Sequence, residues 1–304
     1  MLITDTQVHL WEAHRPDRPW PPEQIGKPSF VAVPGARPHR AEPLGADELI
    51  AMMDRTGIDR AVIVPPSPVG DSNDTALEAV ERFPNRFAVM GRFNPEAAGA
   101  RERLESWLDQ PGMLGIRMTF YKPHWARWLA PDVVEWFWSG CERLGIPLMA
   151  LAPGLLGEIA ALAQRHPGLT IILDHMARQS ALRDEACFAD LDELLALARF
   201  PNVAVKASSL PCYTNDPYPF SRLEPYLKRI FEAFGSDRIM WGSDLTRLPC
   251  SYAECLDHMR RELHFLTEDD RTRVLGGTAA ALLRWPEPRS STTASQHPTR
   301  SPRD

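Results

Sequence analysis

Side chains that can move protons, polarise a carbonyl group or bind a metal ion fall at the ends of several apolar, β-rich runs of the sequence. Asp5-Thr6-Gln7-Val8-His9 ends the first run, and strand alternation places Gln7 and His9 on one face. Asp174-His175 and Ser243-Asp244 end two later runs. Carboxylates and imidazoles in these places predict acid–base or metal-assisted chemistry.

Two cations also stand within apolar runs. Arg117 lies in Gly115-Ile116-Arg117-Met118-Thr119, and Lys206 lies two residues before Ser208. A charged group buried without a partner is costly, so each cation requires an anion. The anion is either a carboxylate of the substrate, which arginine can hold with two hydrogen bonds, or a neighbouring acid in an interior ion pair.

Glycine and proline divide the chain into short β-rich runs that alternate with longer amphipathic stretches, a pattern typical of βα units around a parallel sheet. The predicted strands are Leu2–His9, Arg60–Pro65, Phe87–Phe93, Leu114–Thr119, Pro147–Leu151, Thr170–Asp174, Val203–Ser208 and Arg238–Ser243. Eight such units predict an α/β fold, a (β/α)8 barrel. The chemistry of these barrels lies at the C-terminal strand ends, where the polar residues are expected to meet.

Helix boundaries can be predicted at three places. Acidic residues at Asp47-Glu48 begin a helix that stops at Gly57, and Pro131-Asp132 predicts the start of a helix over Val133–Leu144. Thr267 precedes three acidic residues and predicts the N-cap of the last barrel helix.

The composition excludes several classes of protein. The 304 residues are 44% hydrophobic and 24% charged, which is typical of a globular chain, and the net charge of -6 gives no electrostatic footprint for nucleic acid. We find neither an apolar run long enough for a membrane span nor a basic signal-peptide start. Five cysteines without a CxxC pair indicate buried thiols. We therefore expect a cytoplasmic protein that binds a small molecule, with no nucleic acid or membrane partner.

Three segments depart from compact βα units, and together they set the predicted domain boundaries. The Pro- and Trp-rich residues 12–44 form a long loop after strand 1, either capping the site or making a rigid surface excursion. Tyr121–Ala130 forms a second excursion. The last residues, 286–304, have almost no apolar content and predict a disordered tail beyond a single barrel domain over residues 1–285.

The motifs resemble those of the amidohydrolase superfamily, and more narrowly its amidohydrolase-2 branch, with sugar lactonases and 2-pyrone-4,6-dicarboxylate lactonase. The resemblance covers Ile3 to Trp285 in the expected order. The motifs are Asp-Thr-Gln-Val-His-Leu-Trp at 5–11, Leu-Gly-Ile-Arg at 114–117, Leu-Asp-His-Met-Ala-Arg at 173–178, Val-Lys-Ala-Ser-Ser-Leu at 205–210, Met-Trp-Gly-Ser-Asp at 240–244 and Val-Leu-Gly-Gly-Thr-Ala-Ala-Ala-Leu-Leu-Arg-Trp at 274–285.

This resemblance implies a distorted (β/α)8 TIM barrel that hydrolyses a cyclic ester or amide. Asp244 matches the eighth-strand general base, His175 matches the sixth-strand histidine, and His9 matches the second histidine of the first-strand pair. The predicted catalytic residues are therefore Asp244, His175 and His9, with Gln7 beside them.

Two departures concern the metal that the resemblance implies. Gln7 stands where the family has the first histidine of the pair, and an amide is a poor zinc ligand; the fifth strand also lacks a histidine. His9, His175 and Asp244 still offer a two-histidine, one-carboxylate site for a single Zn or Mn. We favour metal-independent action, in which these residues and Gln7 bind the carbonyl group and orient water.

Cations and aromatic residues near the strand ends are candidates for substrate binding. Arg92, Arg178 and Arg247 are secondary candidates, and Trp20, Trp125 and Trp128 could form an aromatic wall or an interface. Asp5 is expected to be structural, and Asp174 either to cap a loop or to act at the site. The predicted substrate-binding residues are Arg117, Lys206, Tyr121, Lys122, His124 and Trp11.

The sequence thus predicts an enzyme, a lactonase-like hydrolase that opens a small, carboxylated cyclic ester. One alternative is a metal-dependent, non-oxidative decarboxylase of the same superfamily, although Gln7 counts against it. Another is a binding protein on a degenerate barrel, since fold does not fix function. The Trp-rich loops make a homodimer a candidate assembly.

Overall fold

The eight predicted strands are all present and confirm the (β/α)8 barrel. The computed structural model describes residues 2–22, 25, 39–67 and 70–285. The predicted tail and the middle of the 12–44 loop lie outside these residues. The strands are β1 (Thr4–Val8), β2 (Arg60–Ile63), β3 (Phe87–Arg92), β4 (Met113–Thr119), β5 (Leu148–Leu151), β6 (Ile171–Leu173), β7 (Val203–Ser208) and β8 (Ile239–Gly242).

The strands form one parallel sheet in sequence order from β1 to β8. The sheet closes where β8 meets β1. There the Thr6 hydroxyl donates to the Trp241 carbonyl at 2.6 Å, and the Asp244 N–H donates to the Gln7 carbonyl at 2.9 Å. Asp5 accepts from the Ser243 N–H at 2.8 Å and also from its hydroxyl. Side-chain hydrogen bonds therefore make up much of the contact between β1 and β8. We call this contact the β1–β8 seam.

Helices follow the strands around the outside of the barrel. They are α1 (Ala46–Thr56), α2 (Asp74–Arg82), α3 (Ala100–Glu105), α4 (Pro123–Ala126), α5 (Glu135–Leu144), α6 (Leu156–Arg165), α7 (Asp184–Cys187), α8 (Leu191–Ala196), α9 (Glu224–Phe234), α10 (Tyr252–Asp257), α11 (Glu268–Thr272) and α12 (Thr278–Leu282). Single 3-10 turns and two π-turns, His258–Glu262 and Arg273–Gly277, join them. No helix in the described ranges is long and apolar enough to cross a bilayer.

Helix boundaries agree with the sequence in two of the three places. α1 ends at Gly57, whose φ of 78° suits glycine, and Thr267 caps α11 with a capping box. The predicted start of α5 is wrong, because Asp132 takes a left-handed φ of 69° and the helix begins only at Glu135. The helical turn that Pro131 favours is interrupted there.

The lower half of the barrel interior is apolar. α12 closes this end, and the Arg60 guanidinium lies 4.3 Å from the Trp285 ring centroid. The cluster includes Val62, Met90, Met149, Ile172, Ala204, Met240, Ala279 and Leu283. The polar residues considered as site candidates therefore lie in the upper half, toward the C-terminal strand ends.

Glycine is required at one point of the seam. A Cβ atom on Gly242 would lie 2.8 Å from Gln7 Cβ and 3.0 Å from Gln7 N. Because backbone cannot move aside cheaply, this glycine lets β8 approach β1 closely and sets the position of Gln7.

Candidate active site

Strand alternation brings the predicted polar residues together at the upper interior of the barrel. Arg117 and Thr119 of β4 share one face, and the register places Arg117 beside Arg92 of β3. Lys206 and Ser208 share the interior face of β7. All five side chains are buried. The residues that follow β6 and β8 complete the barrel mouth.

Three residues of this mouth adopt left-handed backbone conformations. His175 after β6, Ser209 after β7 and Asp244 after β8 have φ values of 55°, 59° and 57°. Non-glycine residues take this conformation at a cost of roughly 1–3 kcal/mol, and it persists where the surroundings hold it. Each strand thus ends in a sharp turn, and the turns bring Asp244 next to His175 and Ser209.

Asp244 lies fully buried, with its two carboxylate oxygens in different surroundings. The Ser209 hydroxyl donates to Oδ2 at 2.6 Å, and Arg247 Nη1 lies 3.3 Å from the same oxygen. Burial by itself would raise the pKa of Asp244, but the neighbouring Arg247 guanidinium is the largest opposing influence, and the pKa lies well below its usual range. Asp244 is therefore ionised at neutral pH.

The orientation of His9 follows from its neighbours. Its Nδ1 lies 2.6 Å from the Val64 carbonyl, which can only accept, so Nδ1 carries a hydrogen. Its Nε2 lies 3.2 Å from Asp244 Oδ1 and 3.2 Å from the amide nitrogen of Gln7. In the neutral ring Nε2 accepts from Gln7, so Asp244 Oδ1 has no hydrogen-bond donor among the described residues.

His175 faces the other oxygen of the same carboxylate. Its Nε2 lies 4.0 Å from Asp244 Oδ2, and its Nδ1 lies 2.8 Å from the Ser208 hydroxyl. Burial lowers the pKa of His175 to about 4, against the opposing pull of Asp244 and Asp174. The ring is therefore neutral at neutral pH, and with Ser208 donating to Nδ1 it presents an Nε2–H group to the mouth.

A line of buried polar contacts holds Gln7 in place. Lys206 Nζ donates to Gln7 Oε1 at 2.5 Å, lies 2.8 Å from Asp174 Oδ1 and contacts the Met149 sulfur at 3.1 Å. Arg117 Nε donates to Asp174 Oδ2 at 3.1 Å. Burial opposes the charge on Asp174, but Lys206 and Arg117 lower its pKa to about 2. These contacts surround the Lys206 ammonium and form the interior ion pair that the sequence left open.

The side chains present do not fit the divalent ion that the superfamily implies. Because Lys206 can only donate, it turns Oε1 of Gln7 toward itself and the amide N–H groups toward His9 Nε2. The Nε2 lone pair with which His9 would bind a metal therefore accepts a hydrogen bond from Gln7 instead. Among the described residues, we find no group of three or more His, Cys, Asp or Glu side chains arranged to hold a metal ion.

The remaining predicted substrate-binding residues lie on two loops. Tyr121 is half-buried, with its hydroxyl 3.3 Å from the Ser67 hydroxyl, and Lys122 Nζ lies 4.5 Å from the Trp125 ring centroid. His124 is exposed and packs on the same tryptophan. Buried Trp11 instead lies beneath His39, with ring centroids 6.0 Å apart, and so contributes to the wall near His9.

Sequence reasoning missed His39. This buried residue returns the 12–44 loop to the barrel, where its Nδ1 lies 2.7 Å from the Thr246 hydroxyl and its ring packs edge-on against His9 at 5.0 Å. No strand-end motif contains it, so only the fold could bring it here. The described end of the loop therefore lies over His9.

Comparison with known proteins identifies the family of this chain. The amidohydrolase family model Amidohydro_2 matches residues 4–285. The chain belongs to this amidohydrolase family. This confirms the family resemblance noted in the sequence.

The relatives of this amidohydrolase include enzymes named for lactones. An L-fucono-1,5-lactonase of Burkholderia ambifaria is 27% identical, over 93% of this chain and 96% of that one. A 4-sulfomuconolactone hydrolase of Rhizobium radiobacter is 27% identical over 68% of each chain. Among solved structures, an amidohydrolase from Burkholderia multivorans with bound zinc superposes with a TM-score of 0.76 at 22% identity, covering 94% of this chain and 100% of that one. The last similarity concerns the fold alone.

Proposed function

We propose that this amidohydrolase opens a small cyclic ester with water activated by Asp244. The observation that carries the proposal is the asymmetry of the Asp244 carboxylate. Ser209 and Arg247 hold Oδ2, whereas Oδ1 is buried beside His9 Nε2 and has no donor in the part of the chain that the structure describes. A water molecule that donates to Oδ1 satisfies this oxygen and is positioned as the nucleophile. The lactonase names of the relatives support the same reaction.

The reaction proceeds through a tetrahedral intermediate. Water attacks the ester carbonyl carbon, its proton passes to Asp244 Oδ1, and the carbonyl oxygen becomes an oxyanion. The Nε2–H group of neutral His175 stabilises that oxyanion by hydrogen bonding. The ring C–O bond then breaks, the alkoxide takes the proton back from Asp244, and the product is a hydroxy acid.

We assign Gln7 a positioning role and consider the reaction independent of metal. The side-chain oxygen of Gln7 accepts from Lys206, and its amide nitrogen donates to His9. Gln7 therefore acts on the substrate only by orienting His9. Lys206 is occupied in the same way and orients Gln7. The sequence predicted instead that Gln7 and Lys206 contact the substrate directly. We prefer the positioning role, because their observed contacts support it.

The expected substrate is a lactone that carries a carboxylate. Arg117 retains one guanidinium nitrogen beyond its bonds to Asp174 and Thr119, so it can still contribute to an anion site. Tyr121 and Lys122 stand on the loop above it, with His124 and Trp11 further around the mouth. A single barrel domain, a homodimer and a cytoplasmic location stay predictions.

Turnover of a panel of carboxylated γ- and δ-lactones, with and without chelator, tests the proposal. We expect ring opening that chelator leaves unchanged. Asp244→Asn should lower kcat by about a hundred- to ten-thousand-fold, the usual contribution of a general base. Asp237→Asn, an exposed carboxylate at the other end of β8, is the control and should stay within about twofold of wild type.

Two results would refute the proposal. A wild-type enzyme that opens no lactone but releases carbon dioxide from an aromatic acid would be a decarboxylase. Activity that disappears with chelator and returns with zinc would contradict the metal-independent reaction.

A further inference from the structure

Arg92 has a place at the barrel mouth that the reaction described above does not use. Its side chain is only 6% exposed at the end of β3. Asn73 binds both its N–H and its carbonyl, at 2.7 and 3.0 Å, which fixes the backbone independently of the guanidinium. The side chain can therefore be changed without releasing the strand end.

The guanidinium of Arg92 lies in a strongly cationic corner. Its Nη1 donates to Thr119 Oγ1 at 3.4 Å, and Arg117 Nη1 donates to the same oxygen at 2.8 Å. With Lys206, this part of the described chain holds three buried cations but only one buried carboxylate, Asp174. Asp174 binds Arg117 and Lys206, so it does not neutralise Arg92.

The other neighbours of Arg92 are weak partners. Asp71 Oδ1 lies 3.6 Å from Arg92 Nε, and the Asp71 side chain is 50% exposed. Arg92 Nε has no hydrogen-bond acceptor within the described residues. The Trp125 ring centroid lies 5.7 Å from the guanidinium carbon. Burial, together with Arg117, lowers the pKa of Arg92 to about 10, so the group keeps its charge at neutral pH.

We propose that Arg92, with Arg117 across Thr119, forms the subsite that binds a carboxylate on the ring of the substrate. A buried cation without a matched anion is costly, and a planar guanidinium holds a carboxylate with two hydrogen bonds. The subsite lies at β3 and β4, across the mouth from Asp244 and the seam. The substrate then spans the mouth, with its ester at Asp244 and its carboxylate at Arg92. This inference rests on the proposed lactonase function and makes Arg92 a specificity residue.

A merely structural role for Arg92, as the ion-pair partner of Asp71, gives different expectations. If the pair stabilises the loop after β2, removing either partner should cause the same loss. If Arg92 binds substrate, Asp71 competes with the substrate carboxylate, and its removal should strengthen binding. Arg92→Gln and Asp71→Asn therefore discriminate between the two roles.

The kinetic test uses γ-butyrolactone-γ-carboxylate and its neutral carboxamide. We expect wild type to prefer the carboxylate, and Arg92→Gln to lose about 10- to 100-fold in kcat/KM for it, mainly through KM, as expected for a charge-assisted contact. Activity on the carboxamide should change by less than about threefold. Asp71→Asn should equal or lower the wild-type KM for the carboxylate, and Arg92→Lys should fall between Arg92→Gln and wild type.

A binding measurement keeps the subsite testable apart from turnover. Calorimetric titration should detect cyclopentanecarboxylate binding to wild type, at least tenfold weaker binding to Arg92→Gln, and weaker binding of cyclopentanecarboxamide to both. Lactone turnover without preference for the carboxylate would overturn the subsite and leave the lactonase function standing. Carboxylate binding through Arg92 without turnover of any lactone would overturn the lactonase function and leave the subsite standing. Equal losses in Arg92→Gln and Asp71→Asn would establish the ion pair instead.

Discussion

Single residues of the mouth are coupled because they share partners. Asp174 neutralises Lys206, Lys206 orients Gln7, and Gln7 fixes the acceptor state of His9 beside Asp244. Each contact is buried, so each loss leaves a polar atom without water to replace its partner. A substitution at Asp174 or Lys206 is therefore expected to change the position of the nucleophilic water beside Asp244.

Lys206→Met tests this coupling. Removing the ammonium leaves the Asp174 carboxylate buried with only Arg117, and breaking a buried pair in this way costs about 3–5 kcal/mol of unfolding free energy. Urea denaturation measures the loss. The double variant Lys206→Met/Asp174→Asn should recover part of it, because the unpaired charge is gone. Unchanged stability in Lys206→Met would contradict the coupling.

At this scale the sequence predicted which residues lie together better than which atoms each of them contacts. Strand alternation and the family motifs selected Asp244, His175 and His9, and the mouth brings these together with Gln7. Whether Lys206 contacts the substrate or forms an ion pair depends on the distance between its ammonium and the Asp174 carboxylate. No pattern along the chain gives that distance.

Helices and turns place these residues, and their ends are specified locally. In α10, the Ser251 hydroxyl accepts from the Glu254 N–H at 3.2 Å, and the Glu254 carboxylate accepts from the Ser251 N–H at 2.9 Å. The next residue, Tyr252, donates to Asp5 Oδ2 at 2.7 Å. The cap of α10 therefore also supports the seam.

Ser251→Ala should lower the unfolding free energy by about 1 kcal/mol, the usual value of an N-cap side chain. Thermal or urea denaturation checks this. Ser106→Ala is a matched control, because Ser106 precedes a short helical turn without a side-chain capping bond, and its effect should stay within about 0.5 kcal/mol. An equal loss in both variants would contradict a specific role of the cap.

Existence and order of the elements were predictable, whereas the turns at the mouth were not. Apolar periodicity and Gly or Pro boundaries are local signals, and all eight strands followed from them. The left-handed conformations of His175, Ser209 and Asp244 are imposed by tertiary contacts on residues that would avoid them alone. The late start of α5 coincides with a further left-handed residue, Asp132, which no pattern in the sequence indicates.

The whole molecule responds to acid through histidines that folding keeps neutral. Burial lowers the pKa of His258 to about 4, and the ring lies against the Pro219 carbonyl at 2.8 Å, far along the chain from the strand-end motifs. The unfolded chain protonates a histidine near its ordinary pKa of about 6.5. Between these values the unfolded state binds the extra proton, so acid lowers the free energy of unfolding.

His258→Gln isolates this contribution without touching the mouth. From pH 7 to pH 5, wild type should lose about 2 kcal/mol more than the variant, which has no histidine at this position to protonate on unfolding. Urea midpoints at both pH values provide the measurement. Parallel losses in the two proteins would show that His258 already titrates normally in the folded state.

The β1–β8 seam joins barrel closure and the proposed chemistry in the same few residues. Gln7 and Asp244 contribute backbone to the closure, Gly242 sets how closely the strands approach, and the side chains of Gln7 and Asp244 belong to the proposed site. Selection for a new substrate therefore has little freedom there, since retuning the chemistry also alters closure. Evolutionary change can proceed more freely across the mouth at β3 and β4, where backbone pairing holds the strands on both sides of a single register shift between Val89 and Met90.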